Sequence, residues 1–436
     1  MIIDFSVGNF FSIRERQTLS FLADDNIRHL EDYYVTEVAG KRILKAGLIF
    51  GANASGKTTI LNALDFFRSV VIDPKSSKNT SLARVPFLMD YSSRGKDTMF
   101  EINFIQNGQT YYYQLILNDK YIVSEVLKTR KNGKLVYKRT TDADNQVSDI
   151  QWGTFSQLKD KYDIVVLAKN TLWNETVIAG FLKTNMEQPC LKEVSDWFSR
   201  YLNSIIRPSL DLTGFILENI DNGSIDSKGL IPILMKADLN ISDIQIKKRS
   251  ETLGYTPSRY FEDDEIFRAK IKDGSVGYDI YNLRFRHDNK DGEHFSDIKF
   301  KYESLGTQRY FGLAGILYLM IKNSCCFCLD ELESSIHPEL AKHFLLTFCV
   351  NTKNSQLIAT THDREFLNNK DIFRNDMIFF TEKDDACATT LYKLSDFDSS
   401  VIRNTSNILN AYNAGRLGAL PNLGDYYLDI NDNGDE

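Results

Sequence analysis

The sequence predicts an α/β fold in which a strand–loop–helix core carries an antiparallel β-meander and a mainly helical insertion. Three observations carry that expectation. An apolar strand, a glycine-bounded loop and a helix with one apolar face follow one another over residues 46–67. Apolar and polar residues alternate at period two over residues 98–140. Two short apolar runs late in the chain end abruptly at Asp330-Glu331 and at Thr361-His362-Asp363, as buried strands do.

Taken in order, residues 1–23 hold two short alternating runs, Ile2-Ile3-Asp4-Phe5 and Thr18-Leu19-Ser20-Phe21, with Gly8-Asn9 between them. They fit two strands at the edge of the core domain. Next, Leu48-Ile49-Phe50 leads into Gly51-Ala52-Asn53-Ala54-Ser55-Gly56-Lys57-Thr58, and Ile60, Leu61, Leu64 and Phe67 mark one face of a helix. This is G-x-x-x-x-G-K-T between a strand and a helix. Gly51 and Gly56 let the backbone turn its amides inward, so that loop and helix N-terminus form a pocket of donors for phosphate oxygens. Lys57 adds a charge for the β and γ phosphates, and the Thr58 hydroxyl is a magnesium ligand. Gly51, Asn53, Ser55, Gly56, Lys57, Thr58 and Thr59 are the expected contacts of a nucleoside triphosphate.

Residues 73–98 form a loop rich in Ser, Asp, Lys and Arg. In the meander, Phe100, Ile102 and Phe104 alternate with Glu101 and Asn103, Asn107-Gly108 makes a tight turn, and Tyr111, Tyr113, Leu115 and Leu117 alternate again. Lys128, Arg130, Lys131, Lys134, Lys138 and Arg139 cluster about a further turn at Asn132-Gly133. Two readings of 128–139 stay open: a solvated edge guarded by lysines, or a nucleic-acid contact. From 142 to 297 the periodicity is mixed. Leu191, Val194, Phe198, Tyr201, Leu202 and Ile205 share a helical face, and residues 230–237 suggest another helix. This stretch is expected to be mainly helical and to hold partner or dimer contacts. It has no heptad repeat for a long coiled coil.

The remaining elements resume the chemistry. Glu303-Ser304-Leu305-Gly306-Thr307-Gln308 opens an apolar helix, and Ser304 with the Gly306 amide forms a second anion site. Cys325-Cys326-Phe327-Cys328-Leu329 is a strand ending in Asp330, placed to hold magnesium through water, and Glu331, placed to orient and deprotonate an attacking water. A further strand delivers His362 to its carboxyl end, where ligands gather in open α/β sheets. There it can donate to a γ-phosphate as charge shifts. Glu331, His362 and Lys57 are the expected catalytic groups; Thr58 and Asp330 are the expected metal ligands.

Composition excludes several classes. The 436 residues allow two or three domains, and a hydrophobic share of 42% fills an ordinary core. The longest apolar run, residues 311–321, is too short to cross a membrane. Asp4 interrupts the first apolar segment, so the start does not read as a signal peptide, and the chain reads as cytoplasmic. Six cysteines without a C-x-x-C pair read as buried thiols rather than metal ligands. A net charge of −7 argues against a protein that coats nucleic acid non-specifically.

The order Walker A, Ser-x-Gly at a helix start, Walker B Asp330-Glu331 and strand-end His362 resembles the ABC-type ATPases, specifically their SMC-like branch. The long interval between Lys57 and Asp330 agrees with it. A closer resemblance is to the OLD-like, abortive-infection ATPases, also called AAA-family ATP-binding proteins, similar in plan to the AriA and PtuA ATPases. It rests on Val7-Gly8-Asn9-Phe10-Phe11-Ser12, on 303–307, on Asp330-Glu331-Leu332-Glu333 with His337-Pro338, on Thr360-Thr361-His362-Asp363 and on Gly415-Arg416-Leu417-Gly418-Ala419-Leu420-Pro421.

The resemblance implies an ABC/SMC-type P-loop ATPase head with ATP and Mg2+ as cofactors. It also implies a homodimer or higher homo-oligomer whose composite sites use Ser304 and Gly306 in trans, and a separate effector, a nuclease from the same operon, in anti-phage defence. The implied layout is an ATPase lobe over 1–141, the insertion over 142–297, a second lobe over 298–425 and an acidic tail over 426–436. Two departures stand out: Leu305 replaces the signature glycine of transporter ATPases, and a Q-loop glutamine is represented only by Gln106 and Gln109. About forty residues follow the last strands, fewer than a nuclease domain needs. Three alternatives remain: a DNA-maintenance ATPase of the RecF or SMC kind, a scaffold that binds ATP without turnover, and a transporter subunit.

Overall fold

A computed structural model describes residues 1–129, 133–154, 161–252, 265–272, 275–288, 295–368, 372–397 and 408–421. The expected acidic tail and residues 130–132 of the basic hairpin lie outside them.

The chain opens with β1 (Ile2–Gly8) and β2 (Gln17–Ser20), followed by a small hairpin of β3 (Val35–Val38) and β4 (Lys41–Leu44). Strand β5 (Ala46–Gly51) is buried along all six residues and leads through the glycine loop into the helix Lys57–Ile72. The meander is as expected: β6 (Thr98–Gln106), β7 (Gln109–Leu117), β8 (Ile122–Thr129) and β9 (Leu135–Asp142), extended by β10 (Val147–Trp152). Strands β1 and β2 join this meander rather than the edge of the nucleotide sheet, in the order β10-β9-β8-β7-β6-β1-β2. The buried face of β1 explains why, because Phe5 packs on Phe67 and Phe100. The rings of Phe66, Tyr113 and Phe198 extend the cluster that holds helix Lys57–Ile72 against the meander. Each such ring buried contributes about 2 kcal/mol.

Arg139 corrects the basic-hairpin reading. It is fully buried, and its guanidinium donates to the carbonyls of Ile122, Leu172 and Trp173 and to Ser148 Oγ. Inside the same layer Glu125 accepts from the hydroxyls of Tyr113 and Tyr137 at 2.6 Å and from the Val177 amide. A charge so enclosed cannot meet a phosphate backbone. Lys134 and Lys138 remain exposed.

After the meander come helices Lys161–Asn170, Val177–Leu182 and Pro189–Asp196, the last continuing into a π turn, and then Thr213–Asp221 and Ser227–Lys236. The expected helices are present, as Pro189–Asp196 with its π turn Trp197–Tyr201 and as Ser227–Lys236, but Leu202 and Ile205, expected on the face of the first, lie beyond its end, where Leu202 bridges Cys326. The second half of the stretch expected to be mainly helical is instead a sheet: β11 (Ile241–Thr252), β12 (Ile266–Lys272), β13 (Ser275–Asp288) and β14 (Phe295–Lys299). Tyr281, Leu283 and Phe285 bury one face of β13, and Phe285 packs on Phe300 and Phe311.

The helix Leu305–Lys322 then packs so closely on residues 212–216 that a Cβ on Gly312 would lie 2.6 Å from Leu212 Cβ. Its glycines permit that approach. Strands β15 (Cys326–Leu329), β16 (Gln356–Thr360), β17 (Ile378–Lys383) and β18 (Thr389–Lys393) complete the second sheet, with helix Pro338–Asn351 between the first two. Its order is β15-β16-β5-β17-β18, the first four strands parallel and β18 antiparallel. Their near-continuous apolar sequences suit a parallel sheet covered on both faces. The carboxyl ends of β15, β16, β5 and β17 therefore converge on one edge. No helix among the described residues is long and apolar enough to cross a membrane.

Candidate functional site

At that edge β5 ends in Gly51, and the loop closes on Gly56, whose φ of 108° is a left-handed conformation that glycine adopts without strain. The helix that starts at Lys57 has no side-chain cap, so its first amides stay open to a ligand. Ser55 and Lys57 are buried. The Lys57 ammonium donates to the carbonyls of Gly51 and Ala52, each at 2.9 Å, spanning the loop's mouth. Burial lowers its pKa, and the nearby carboxylates of Asp330, Glu331 and Glu333 oppose that shift.

The residues expected to serve the metal and the attacking water lie beside it. Thr58 Oγ1 donates to Asp330 Oδ1 at 2.9 Å, and Thr360 Oγ1, at the end of β16, donates to the same oxygen at 2.7 Å. The Glu331 amide donates to Thr360 Oγ1 at 2.8 Å. Thr360 thus orients both members of the acidic pair. Glu331 has a left-handed φ of 51°, and its carboxylate stays half-exposed, 3.9 Å from His362 Nε2. The His362 amide donates to Glu333 Oε1 at 2.6 Å. Burial and the Lys57 charge hold the His362 ring below its ordinary pKa, against the pull of Glu333, Glu331 and Asp330, which favours the neutral imidazole. A hydroxyl and a carboxylate are hard oxygen donors of the kind magnesium takes, and they sit beside the phosphate loop. The residues present therefore fit that ion, with Thr58 and Asp330 to hold it.

Two cavities flank the loop and share Asn53, Ala54, His362 and Lys383. The first, of about 530 Å³, joins Lys57, Thr58, Thr59 and Glu331 to an apolar rim that includes Phe11, Leu88 and Met89. The rim suits the flat face of a base. The second, of about 750 Å³, lies between the loop and the carboxyl-terminal motif, with Tyr412, Leu420 and Pro421 as part of its wall. That motif is tied to β18 by Tyr392 Oη donating to the Leu417 carbonyl, and to the helix Ile408–Asn413 by Tyr412 Oη donating to the Ala419 carbonyl.

Lys57, Thr58, Asp330, Glu331 and His362 are thus gathered at one edge. Ser304 and Gly306 are not: neither lines either cavity. Ser304 is exposed and caps its own helix, its Oγ accepting from the Thr307 amide at 3.0 Å, and Leu305 beside it is 75% exposed. Gln106 and Gln109, the nearest candidates for a Q-loop glutamine, pair with each other at the tip of the β6–β7 hairpin and line neither cavity. Sequence reasoning named Ser12 and Thr360 within motifs but gave them no role, and it missed Thr381 and Thr389. Thr360 closes its apolar strand directly before Thr361-His362-Asp363, a pattern that could have flagged it.

A family model described as an AAA ATPase domain matches residues 25–367. No curated protein matches the chain. Among solved structures the chain is similar to the SMC head domain from Thermotoga maritima, at 14% identity and a TM-score of 0.40 over 90% of this chain and 98% of that one. It is also similar to the SmcHead bound to the C-winged helix domain of ScpA, at 13% and 0.38 over 90% and 97%. A third is the Smc head domain with an extended coiled coil bound to the C-terminal domain of ScpA derived from Pyrococcus furiosus, at 11% and 0.39 over 90% and 96%.

Proposed function

Since the chain belongs to the AAA ATPase domain family, we propose that it binds and hydrolyses ATP and uses the cycle as a switch. The observation that carries this reading is the hydrogen-bonded run from Thr58 through Asp330 and Thr360 to Glu331 beside the open helix end. The loop amides and Lys57 bind the β and γ phosphates; Asn53, Ser55 and Thr59 complete the cradle. Thr58 and Asp330 hold magnesium, which when bound neutralises charge on the phosphates. Glu331 takes a proton from the attacking water, and His362, neutral, donates to the γ-phosphate.

Ser304 and Gly306 act on the nucleotide of a second copy, so that ATP favours a homodimer and hydrolysis releases it. That cycle controls a separate effector, a nuclease, in anti-phage defence in the cytoplasm. The reading is supported by the exposed position of the Ser304 helix end, away from both cavities beside the loop, and by the motif resemblance. The test is phosphate release and molecular mass with and without ATP for wild type, Lys57→Ala and Glu331→Gln. ATP-dependent dimers in wild type, trapped in Glu331→Gln and lost in Lys57→Ala, are expected. A chain that neither binds ATP nor changes mass sinks the reading.

A further inference from the structure

The β17–β18 hairpin touches the phosphate loop from behind at both ends of one residue. Ser55 Oγ lies 2.7 Å from Thr381 Oγ1, which itself donates to the Phe50 carbonyl. The Ser55 carbonyl accepts from Thr389 Oγ1 at 2.9 Å. Thr389 is fixed in turn: its amide donates to the Ser12 carbonyl at 2.7 Å, and its hydroxyl lies 2.8 Å from Ser12 Oγ, which reaches Thr59 Oγ1 at 3.1 Å. Ser55, Thr381 and Thr389 are all buried. The fit is tight, since a Cβ on Gly56 would stand 2.2 Å from Thr389 Oγ1.

Peptide planarity gives these contacts their meaning. In a trans peptide the carbonyl of one residue and the amide of the next point in opposite directions. Holding the Ser55 carbonyl on Thr389 therefore turns the Gly56 N–H to the face away from Thr389. The first cavity is lined by Gly56, Lys57 and Thr58 and not by Thr389. We infer that Thr381 and Thr389, backed by Ser12, are positioning residues for phosphate binding, which hold the Ser55–Gly56 peptide with its amide presented to the anion before any nucleotide arrives. A loop preset in this way loses little conformational freedom on binding. The assignment rests on the nucleotide reading above.

The experiment is calorimetric titration of the full chain with Mg-ATP, with steady-state turnover alongside. Thr389→Val keeps the shape and removes the hydroxyl. It is expected to weaken ATP binding about tenfold, the worth of one buried hydrogen bond, with the loss in KM and kcat within about threefold of wild type. Thr389→Ser restores the hydroxyl and the affinity. Thr381→Val tests the other end of Ser55 and supports the proposal if it too raises KM. Melting temperatures without nucleotide separate a positioning role from a structural one: the ATP-induced rise shrinks in Thr389→Val more than the apo value falls. Should Thr389→Val not fold, loss in Thr381→Val with retention in Thr389→Ser carries the same support. Equal affinity in wild type and all folded variants overturns the proposal while leaving the nucleotide site standing. A wild type that binds no ATP removes both.

Discussion

The Lys57 and Ser304 helices both start with glycine and hydroxyl residues suited to an anion, and they are finished differently. The Lys57 helix begins in a buried loop, has no side-chain cap and faces a cavity. The Ser304 helix begins at the surface, spends its serine on its own Thr307 amide and borders neither cavity. An uncapped helix end that faces a cavity leaves amides that an anion can take up. A capped, exposed one is stable alone and supplies at most half of a site. Motif spacing treats the two alike, and their surroundings separate them.

The largest expected effect probes the enclosed end. Glu331→Gln removes the base and lowers kcat by about 100- to 10 000-fold with ATP affinity retained, as phosphate release and a binding titration will show. Lys57→Ala removes a charged donor to the phosphates and weakens ATP binding by roughly 2–3 kcal/mol, about 100-fold, measured by the same titration. Ser304→Ala sharpens the contrast. It deletes a cap worth about 1 kcal/mol, read as a lower melting temperature, and leaves the ATP affinity of dilute protein unchanged. The rise of turnover with protein concentration is lost. If instead Ser304→Ala weakens binding in dilute protein as Lys57→Ala does, the distinction between the two ends is wrong.

The smallest effect is in pH. His362 is held below its ordinary value of 6.5 by burial and the Lys57 charge. With the folded value below the unfolded one, the unfolded chain binds more protons in that window. Its contribution is therefore complete above the unfolded value and is lost as pH falls through the folded one. The ring is 36% exposed, which keeps the change small. Melts from roughly pH 8 to pH 5 should show the decline, and His362→Asn should flatten it.

How much was legible follows from what each residue had to satisfy. The loop at 51–58, the strand ending in Asp330-Glu331 and the meander were readable because local backbone needs and alternation dictate their residues. Arg139 was misread because a charge in a strand looks the same exposed or enclosed; only the carbonyls of Ile122, Leu172 and Trp173, brought from elsewhere, reveal its burial. Strand β13 did alternate, with Tyr281, Leu283 and Phe285 inward and Asn282, Arg284 and Arg286 between them, yet the irregular register near Ile241 and Asp243 hid its neighbour β11. Thr381 and Thr389 left no local mark of their role. Their bonds to Ser55 span 326 and 334 residues.

The central place of β5 carries a consequence for biosynthesis. Its two neighbours are β16 and β17, both made late, and the Thr381 contact to Phe50 joins groups 331 residues apart. Contacts of such sequence separation form slowly. A nascent chain stopped at residue 350 would carry the entire glycine loop with neither flanking strand to hold it, so translation can expose the Lys57 motif long before that motif acquires its shape. The loop thus stays without its flanking strands until residues 356–383 have been made.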